Sequence, residues 1–378
     1  VCALLTLVGT SHARAQFATT ARQAFLMDAE TGAVLYHKNA DDLMPPASMS
    51  KLMTLAMLFK AVKEGRVKLD EQWPVSKHAW ETGGGPSRSS AMFLPINGKA
   101  SVNDLIQGLI VQSGNDAAIV VAEAMAKSEP AFAQQMTDYA RRIGMSKSTF
   151  TNATGLPQPD HQMTARELAL LARHVMVEFP DYYALFAQKE YRYGKFRFIN
   201  RNPMLFTNSG FDGLKTGYVA EAGYGIVASA VRDDRRLVAV LNGLTSKEER
   251  KTETAKLVDW GFKSFAPLKL FDKDEKVGEA RVWGGSRIYV PLVGNGDVSV
   301  LMPRFTQNKV KFTAEVVYNG PLKPPIKRGD QVAVLRVTTQ VGSVSEVPLY
   351  AGEDIERSAM WARGLDSLVH LAFRWVPL

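Results

Sequence analysis

Two short apolar runs, Phe25 to Met27 and Val34 to Tyr36, flank the polar turn Asp28 to Gly32 and predict a pair of strands. A longer, mostly apolar run follows from Leu52 to Val62, preceded by Pro45-Pro46 and stopped at Gly65. Proline ahead and glycine behind are the punctuation of a helix. Residues 82–90 are rich in glycine and serine and predict a loop over a cleft. Leu105, Ile106, Leu109 and Ile110 then recur at helical spacing, after Ser101 with Asp104 three positions on, which is close to a capping pattern. The next helix is predicted over Asp116 to Met125. Ser128 with Pro130 starts another that Gly144 stops. Thr164 with Glu167 reads as a capping box, and helical signals continue to about Glu178.

The pattern changes after residue 210. Lys215-Thr216-Gly217 reads as a strand, preceded by Gly210-Phe211-Asp212-Gly213. Gly225 to Val231 and Arg236 to Leu241 are β-rich and joined by the turn Arg232-Asp233-Asp234-Arg235. A helix is predicted from Lys247 to Phe265. Strands at both ends with helices between predict one α/β (α+β) unit over 16–265, an antiparallel sheet with a helical insertion. From Ala266 the chain is β-branched with frequent turn signals, such as Gly294-Asn295-Gly296 and Gly329-Asp330. That predicts a small β-sandwich over 266–353, read as a spacer. In the last stretch, 354–378, Trp361, Leu365, Leu368, Ala372 and Trp375 share one helical face. Arg363, Asp366, Ser367, His370 and Arg374 share the opposite one. This run is too short and too polar to span a bilayer, and its tryptophans and arginines suit a helix lying on a membrane surface.

Three short words punctuate these elements. Ser48-Met49-Ser50-Lys51 opens the first helix, Ser113-Gly114-Asn115 falls between two helices, and Lys215-Thr216-Gly217 is on the predicted strand. Residues three apart on a helix share a face, so Ser48 and Lys51 point into one space. A serine hydroxyl becomes a useful nucleophile when a neighbouring base takes its proton. Lysine can be that base if burial and a second cation push its pKa down, and Lys215 is the candidate second cation. A glycine joint at Gly114 would turn Ser113 and Asn115 into the cleft. A strand beside the nucleophile can dock an extended peptide, with Lys215 for a carboxylate, Thr216 offering a hydroxyl and Gly217 letting substrate backbone come close. Ser101-Val102-Asn103 repeats the second word but reads as a helix cap.

The trio, in this order, is a recognised signature of penicillin-binding proteins and class A β-lactamases. The family reading therefore rests on a known pattern and not on geometry. Pro46 to Thr54, Gln112 to Ala117, Gly213 to Gly217, Asn200-Arg201-Asn202 and Val258 to Phe262 together make the chain resemble a low-molecular-mass penicillin-binding protein of the D-alanyl-D-alanine carboxypeptidase type. The similarity covers 22–353. The resemblance implies Ser48 as acylated nucleophile, Lys51 as general base, and Ser113 and Asn115 as proton relay and substrate-amide contacts. It also implies Lys215 and Thr216 facing the substrate's terminal carboxylate, Arg250 as a second carboxylate-binding group, and an oxyanion hole from the backbone N–H groups of Ser48 and Tyr218. Tyr218 stands where close relatives often carry histidine.

Charge and cysteine usage narrow the partners. The 378 residues carry a net charge of +8. No dense Lys/Arg run with interleaved aromatics is read, so nucleic acid is not expected, and an anionic membrane or cell-wall polymer is. The resemblance, not the charge, implies the ligands: a peptidoglycan stem peptide ending in D-Ala-D-Ala and β-lactam antibiotics. Cys2, the single cysteine, lies in an apolar run that ends in the small-x-small pattern Ala13-Arg14-Ala15, so 1–15 read as the remnant of a signal peptide. Without that segment there is no thiol, and no histidine spacing suits a metal, so no cofactor or metal is expected. The expected location is the periplasm, peripheral on the outer face of the inner membrane. Competing functions are a D,D-endopeptidase, a class A-like β-lactamase and a non-catalytic envelope protein. The β-lactamase needs a Glu-x-x-Leu-Asn word, which Glu167-Leu168-Ala169-Leu170-Leu171 does not supply, and an aspartate where Gly114 stands.

Overall fold

A computed structural model of the chain describes residues 17–304, 312–339 and 344–358. A five-stranded antiparallel sheet runs in the order Val34–Lys38, Gln23–Asp28, Arg235–Leu244, Gly223–Arg232, Phe211–Val219. Its strands are apolar on both faces. Ala24 and Leu26 enter one core while Phe25 and Met27 enter the other. Alternate side chains of a strand point to opposite faces, so a sheet covered on both sides needs this near-continuous apolar run. Of these, Phe25, Leu26 and Met27 each contribute about 1.5–3 kcal/mol once buried, and Ala24 less. The two-residue turn between Arg232 and Arg235 places Asp233 and Asp234 at φ 48° and 57°. Two left-handed residues in succession match the twist of the flanking strands.

The helical insertion covers one face of this sheet. Helices Lys51–Lys63, Asn115–Ala126, Glu129–Arg142 and Ala165–Glu178 contribute to that core. On the other face lies helix Lys247–Ser264, through Leu257 and Val258. Ser101, Ser128, Thr164 and Ser246 each cap a helix by accepting a backbone N–H. The capping box expected at Thr164 is only half formed. Thr164 accepts from Glu167 N at 3.1 Å. The Glu167 carboxylate turns inward instead, where Lys147 N, Ser148 N and Ser148 Oγ donate to it.

A second unit follows with its own core of Val290, Leu292, Val300, Leu335 and Leu349. Its larger sheet has the order Gly278–Arg281, Tyr289–Val293, Val344–Ala351, Gln331–Thr339, Phe312–Val317, and Phe265–Phe271 pairs with Val298–Pro303 in a smaller one. The start of the expected terminal helix needs correction. Ile355 is fully buried in this core and bridges to Ile326, and Arg357 Nε donates to the Pro324 carbonyl at 3.1 Å. Residues 354–358 therefore complete the β unit. The rest of the expected helix, 359–378, and the expected leader, 1–15 with Cys2, lie outside the described residues. Among the described residues, no helix is long and apolar enough to cross a membrane.

Candidate active site

Ser48 is on a short 3-10 turn, Ala47–Ser50, that runs directly into helix Lys51–Lys63. Its side chain is half-buried, whereas Lys51 is fully buried. Lys51 Nζ lies 2.9 Å from Ser48 Oγ, donates to Asn115 Oδ1 at 2.7 Å and also reaches the Thr154 carbonyl. Burial, and next the charge of Arg201, push the Lys51 pKa down to about 7, while Asp116 and Glu129 act the other way. The helical spacing thus does bring nucleophile and amine together. Arg201 is one cation acting on Lys51, and Lys215 is coupled to Lys51 as the sequence reading expects, the like charges disfavouring two ammonium groups side by side. Lys215 is itself fully buried and held well below the ordinary lysine value by burial, Lys51, Arg201 and Arg250.

The second word sits at a helix junction, as expected, but the joint is Ser113 and not Gly114. Ser113 has φ 63°, while Gly114 has φ −56°. Glycine is needed at 114 for space. A Cβ there would lie 2.8 Å from Asp116 Oδ1 and 3.1 Å from Met92 Cβ. Ser113 Oγ accepts from Lys215 Nζ at 2.8 Å, which ties the second word to the third.

Lys215, Thr216 and Gly217 lie on strand Phe211–Val219 at the edge of the sheet. Gly217 faces the enzyme's own backbone more than a ligand's. A Cβ there would fall 2.9 Å from the Pro46 carbonyl and 3.1 Å from Ala47 Cβ, so glycine lets the strand close onto the nucleophile turn. Tyr218 is 54% exposed and its ring lies 4.3 Å from that of Tyr224. Arg250, from helix Lys247–Ser264, is buried with its guanidinium 5.7 Å from the Tyr224 ring centre. Among the described residues its Nε has no hydrogen-bond partner, and burial lowers its pKa to about 10.

These groups surround a cleft of about 540 Å³ lined by Ser48, Ser113, Thr216, Gly217 and Tyr218, with Arg201, Lys247 and Arg250 on its walls. No carboxylate lines it. A larger cavity of about 850 Å³, between Arg232 to Arg235 and Pro348, contains none of the three words.

Several contributors carry no sequence signal of their own. The 82–90 segment holds two short helical turns within 79–87, and the residues just after them build the cleft wall. Asn115 Nδ2 donates to Ser89 Oγ at 2.8 Å and Asn115 N to the Ser90 carbonyl at 2.7 Å. Buried Asp116 accepts from Met92 N and Leu94 N, clamping that segment to the helix start. Arg201, inside the word Asn200-Arg201-Asn202, donates to Ser90 Oγ at 2.6 Å. Thr154 carries no sequence signal, and the word Asn200-Arg201-Asn202 marks Arg201 without giving it a role, which only tertiary contact supplies. A serine beside a depressed amine, a second serine on a second lysine, and a cation-lined cleft are together equipped for acyl transfer from a substrate that ends in a carboxylate.

A family profile described as D-alanyl-D-alanine carboxypeptidase matches residues 10–245, and one described as penicillin-binding protein 5, C-terminal domain, matches 265–357. The chain is 36% identical to the D-alanyl-D-alanine carboxypeptidase DacC of Escherichia coli strain K12, over 94% of this chain and 89% of that one. It is 31% identical to the D-alanyl-D-alanine carboxypeptidase DacA of Haemophilus influenzae, over 93% and 89%. The structure resembles penicillin-binding protein 5 from Haemophilus influenzae with a TM-score of 0.76 and 30% identity, covering 90% of this chain and 99% of that one. It also resembles penicillin-binding protein D2 from Listeria monocytogenes in its ampicillin-bound form, with a TM-score of 0.57 and 28% identity, over 66% of this chain and 100% of that one.

Proposed function

The chain belongs to the D-alanyl-D-alanine carboxypeptidase family, and we propose that it works by acyl transfer through Ser48. It is a serine-type D-alanyl-D-alanine carboxypeptidase of the penicillin-binding class, acting on peptidoglycan peptides that end in D-Ala-D-Ala. The observation that carries the mechanism is the 2.9 Å contact between Ser48 Oγ and a Lys51 amine whose pKa lies near 7. Neutral Lys51 takes the Ser48 proton as Oγ attacks the carbonyl of the penultimate D-Ala. The backbone N–H groups of Ser48 and Tyr218 receive the oxyanion. Collapse expels the terminal D-Ala, whose amine takes the Lys51 proton through Ser113, bridged to Lys215, leaving Lys51 neutral again. Asn115, held between Lys51 and Ser89, is placed for the substrate amide. Water then attacks the Ser48 ester, its proton passes by way of neutral Lys51 to Ser48 Oγ, and the ester C–O bond breaks to release the shortened peptide as its carboxylate.

Lys215, Thr216 and Arg250 receive the terminal carboxylate. β-Lactams acylate Ser48 and leave slowly. The inward-turned Glu167 carboxylate and the carboxylate-free cleft wall supply no carboxylate base of the kind a class A-like β-lactamase needs to hydrolyse a penicilloyl ester, which supports this reading over a β-lactamase. The direct test is free D-Ala released from diacetyl-Lys-D-Ala-D-Ala, with intact-mass detection of a penicilloyl adduct. A purified protein that gives neither is not this enzyme.

Arg250→Ala lowers kcat/KM on peptides with a free terminal carboxylate more than it slows β-lactam acylation. The guanidinium has an unpartnered, buried Nε and stands in the cleft wall. A hydrogen bond to a charged group is worth about 1.5–3 kcal/mol, so the expected loss is roughly tenfold or more. Unchanged peptide kinetics remove Arg250 from the site.

A membrane-surface location, on the periplasmic side of the inner membrane, is part of the same proposal. It is supported by the apolar row Trp361, Leu365, Leu368, Ala372, Trp375. Truncation belongs after Ser358, because Ile355 is core. The truncated protein should keep full activity on the tripeptide and lose flotation with anionic liposomes. Flotation that survives the truncation refutes the anchor.

A further inference from the structure

We propose that the outward face of hairpin Glu190–Ile199 is a docking edge for the anionic peptidoglycan polymer, outside the acylation site. The proposal rests on the carboxypeptidase reading above. The hairpin pairs Tyr191 with Phe198, Arg192 with Arg197 and Tyr193 with Phe196. Strand alternation sends Tyr191, Tyr193, Phe196 and Phe198 toward the body, where they pack on the main core. Glu190, Arg192, Arg197 and Ile199 face out and are exposed. Residues 189–201 thus contain the basic and aromatic interleaving that the sequence reading passes over. Its rings are turned inward, so it offers no stacking platform for bases.

Charge on this face is unbalanced. Along 189–199, Lys189, Arg192, Lys195 and Arg197, all exposed, are accompanied by one carboxylate, Glu190. Arg192 is directly opposite Arg197, and like charges in that position repel. Glu190 is already engaged by Arg197, whose Nε donates to it at 3.0 Å. Among the described residues the Arg192 guanidinium makes no hydrogen bond or close ion pair, and it acts on Glu190 only at longer range. Lys189 and Lys195 have aromatic rings, Phe206 and Phe196, as their only close partners there, at 6.0 and 5.6 Å. A cross-strand pair of arginines with a single shared carboxylate is relieved by an external anion.

The face is continuous with the cleft. Its second strand leads through Asn200 to Arg201, which lines the cleft and holds Ser90. Phe93, from the same segment as Ser90, stacks on Phe196 with ring centres 4.9 Å apart. A polymer with one D-Ala-D-Ala end in the cleft therefore lays its remaining carboxylates in this cation field. Apart from Ile199 the outward row is polar, which does not suit a lipid interface.

The test compares full-length wild type with the Arg192→Glu/Lys195→Glu double variant. D-Ala release is measured from diacetyl-Lys-D-Ala-D-Ala and from insoluble pentapeptide-containing peptidoglycan, at low and high salt. The variant is expected to match wild type within about twofold on the tripeptide and to lose about tenfold in kcat/KM on the polymer. High salt should erase the difference. The Arg192→Gln/Lys195→Gln variant should fall between. Equal kinetics on the polymer, or equal losses on both substrates, overturn the docking edge. So does a loss seen in binding to anionic liposomes or DNA and absent on the polymer. Failure of wild type to release D-Ala from the tripeptide strikes the carboxypeptidase reading itself.

Discussion

Ser48→Ala protein is expected to release no measurable D-Ala and to take up no β-lactam. In the wild type Oγ is, among the described residues, the one hydroxyl in contact with Lys51 Nζ, at 2.9 Å. Ser50, the nearest alternative in sequence, is fully buried and spends its hydroxyl on the Ala47 carbonyl at 3.0 Å. Ser113 is held by Lys215 on the far side of the second word. Removing the nucleophile of a serine acyl-transfer enzyme typically costs on the order of a millionfold in kcat, with residual catalysis from binding and oxyanion contacts. The substitution deletes one oxygen from a half-buried site, so the fold should survive it. Intact-mass spectrometry after incubation with penicillin reads the result directly. A penicilloyl adduct on the alanine variant would move the acylated residue elsewhere and undo the mechanism.

The parts legible in the sequence are those decided locally. The Ser-x-x-Lys spacing is enough to place Ser48 and Lys51 side by side, because helix geometry fixes which residues share a face. Continuous apolar strands such as Phe25 to Met27 announce a sheet covered on both sides. The turn at Asp233-Asp234 and the cap at Ser101 follow from the residues present. What was not legible depends on contacts between distant segments. Ser113 takes the left-handed conformation while Gly114 does not, and Gly114 is required instead because Asp116 and Met92 leave no room for a Cβ there. Glu167 abandons its own helix cap for the backbone of 147–148. Arg201 enters the site only when the hairpin folds over Ser90. Ile355 looks like the head of an amphipathic helix until Ile326 is brought beside it.

Lys51→Ala is expected to lower acylation at least a hundredfold, and up to about ten-thousandfold, since that is the range for loss of a positioned general base. The pH profile identifies the role more sharply than the loss does. Burial and Arg201 hold the Lys51 pKa near 7. Below that pH Nζ is an ammonium and cannot accept the Ser48 proton, and above it the free amine can. Wild-type kcat/KM should therefore rise with pH through a midpoint near 7 and level off. Arg201→Ala removes a cation that disfavours the charged amine, so it should move the midpoint upward, toward the ordinary lysine value. The Lys51 variant leaves Asn115 Oδ1 and the Thr154 carbonyl without their donor, at about 1–3 kcal/mol for each unpaired buried group. A thermal melt run beside the kinetics separates that structural cost from the loss of a base. A wild-type profile flat between pH 6 and 8, or a midpoint that stays put in the Arg201 variant, would show that Lys51 is not the group taking the proton.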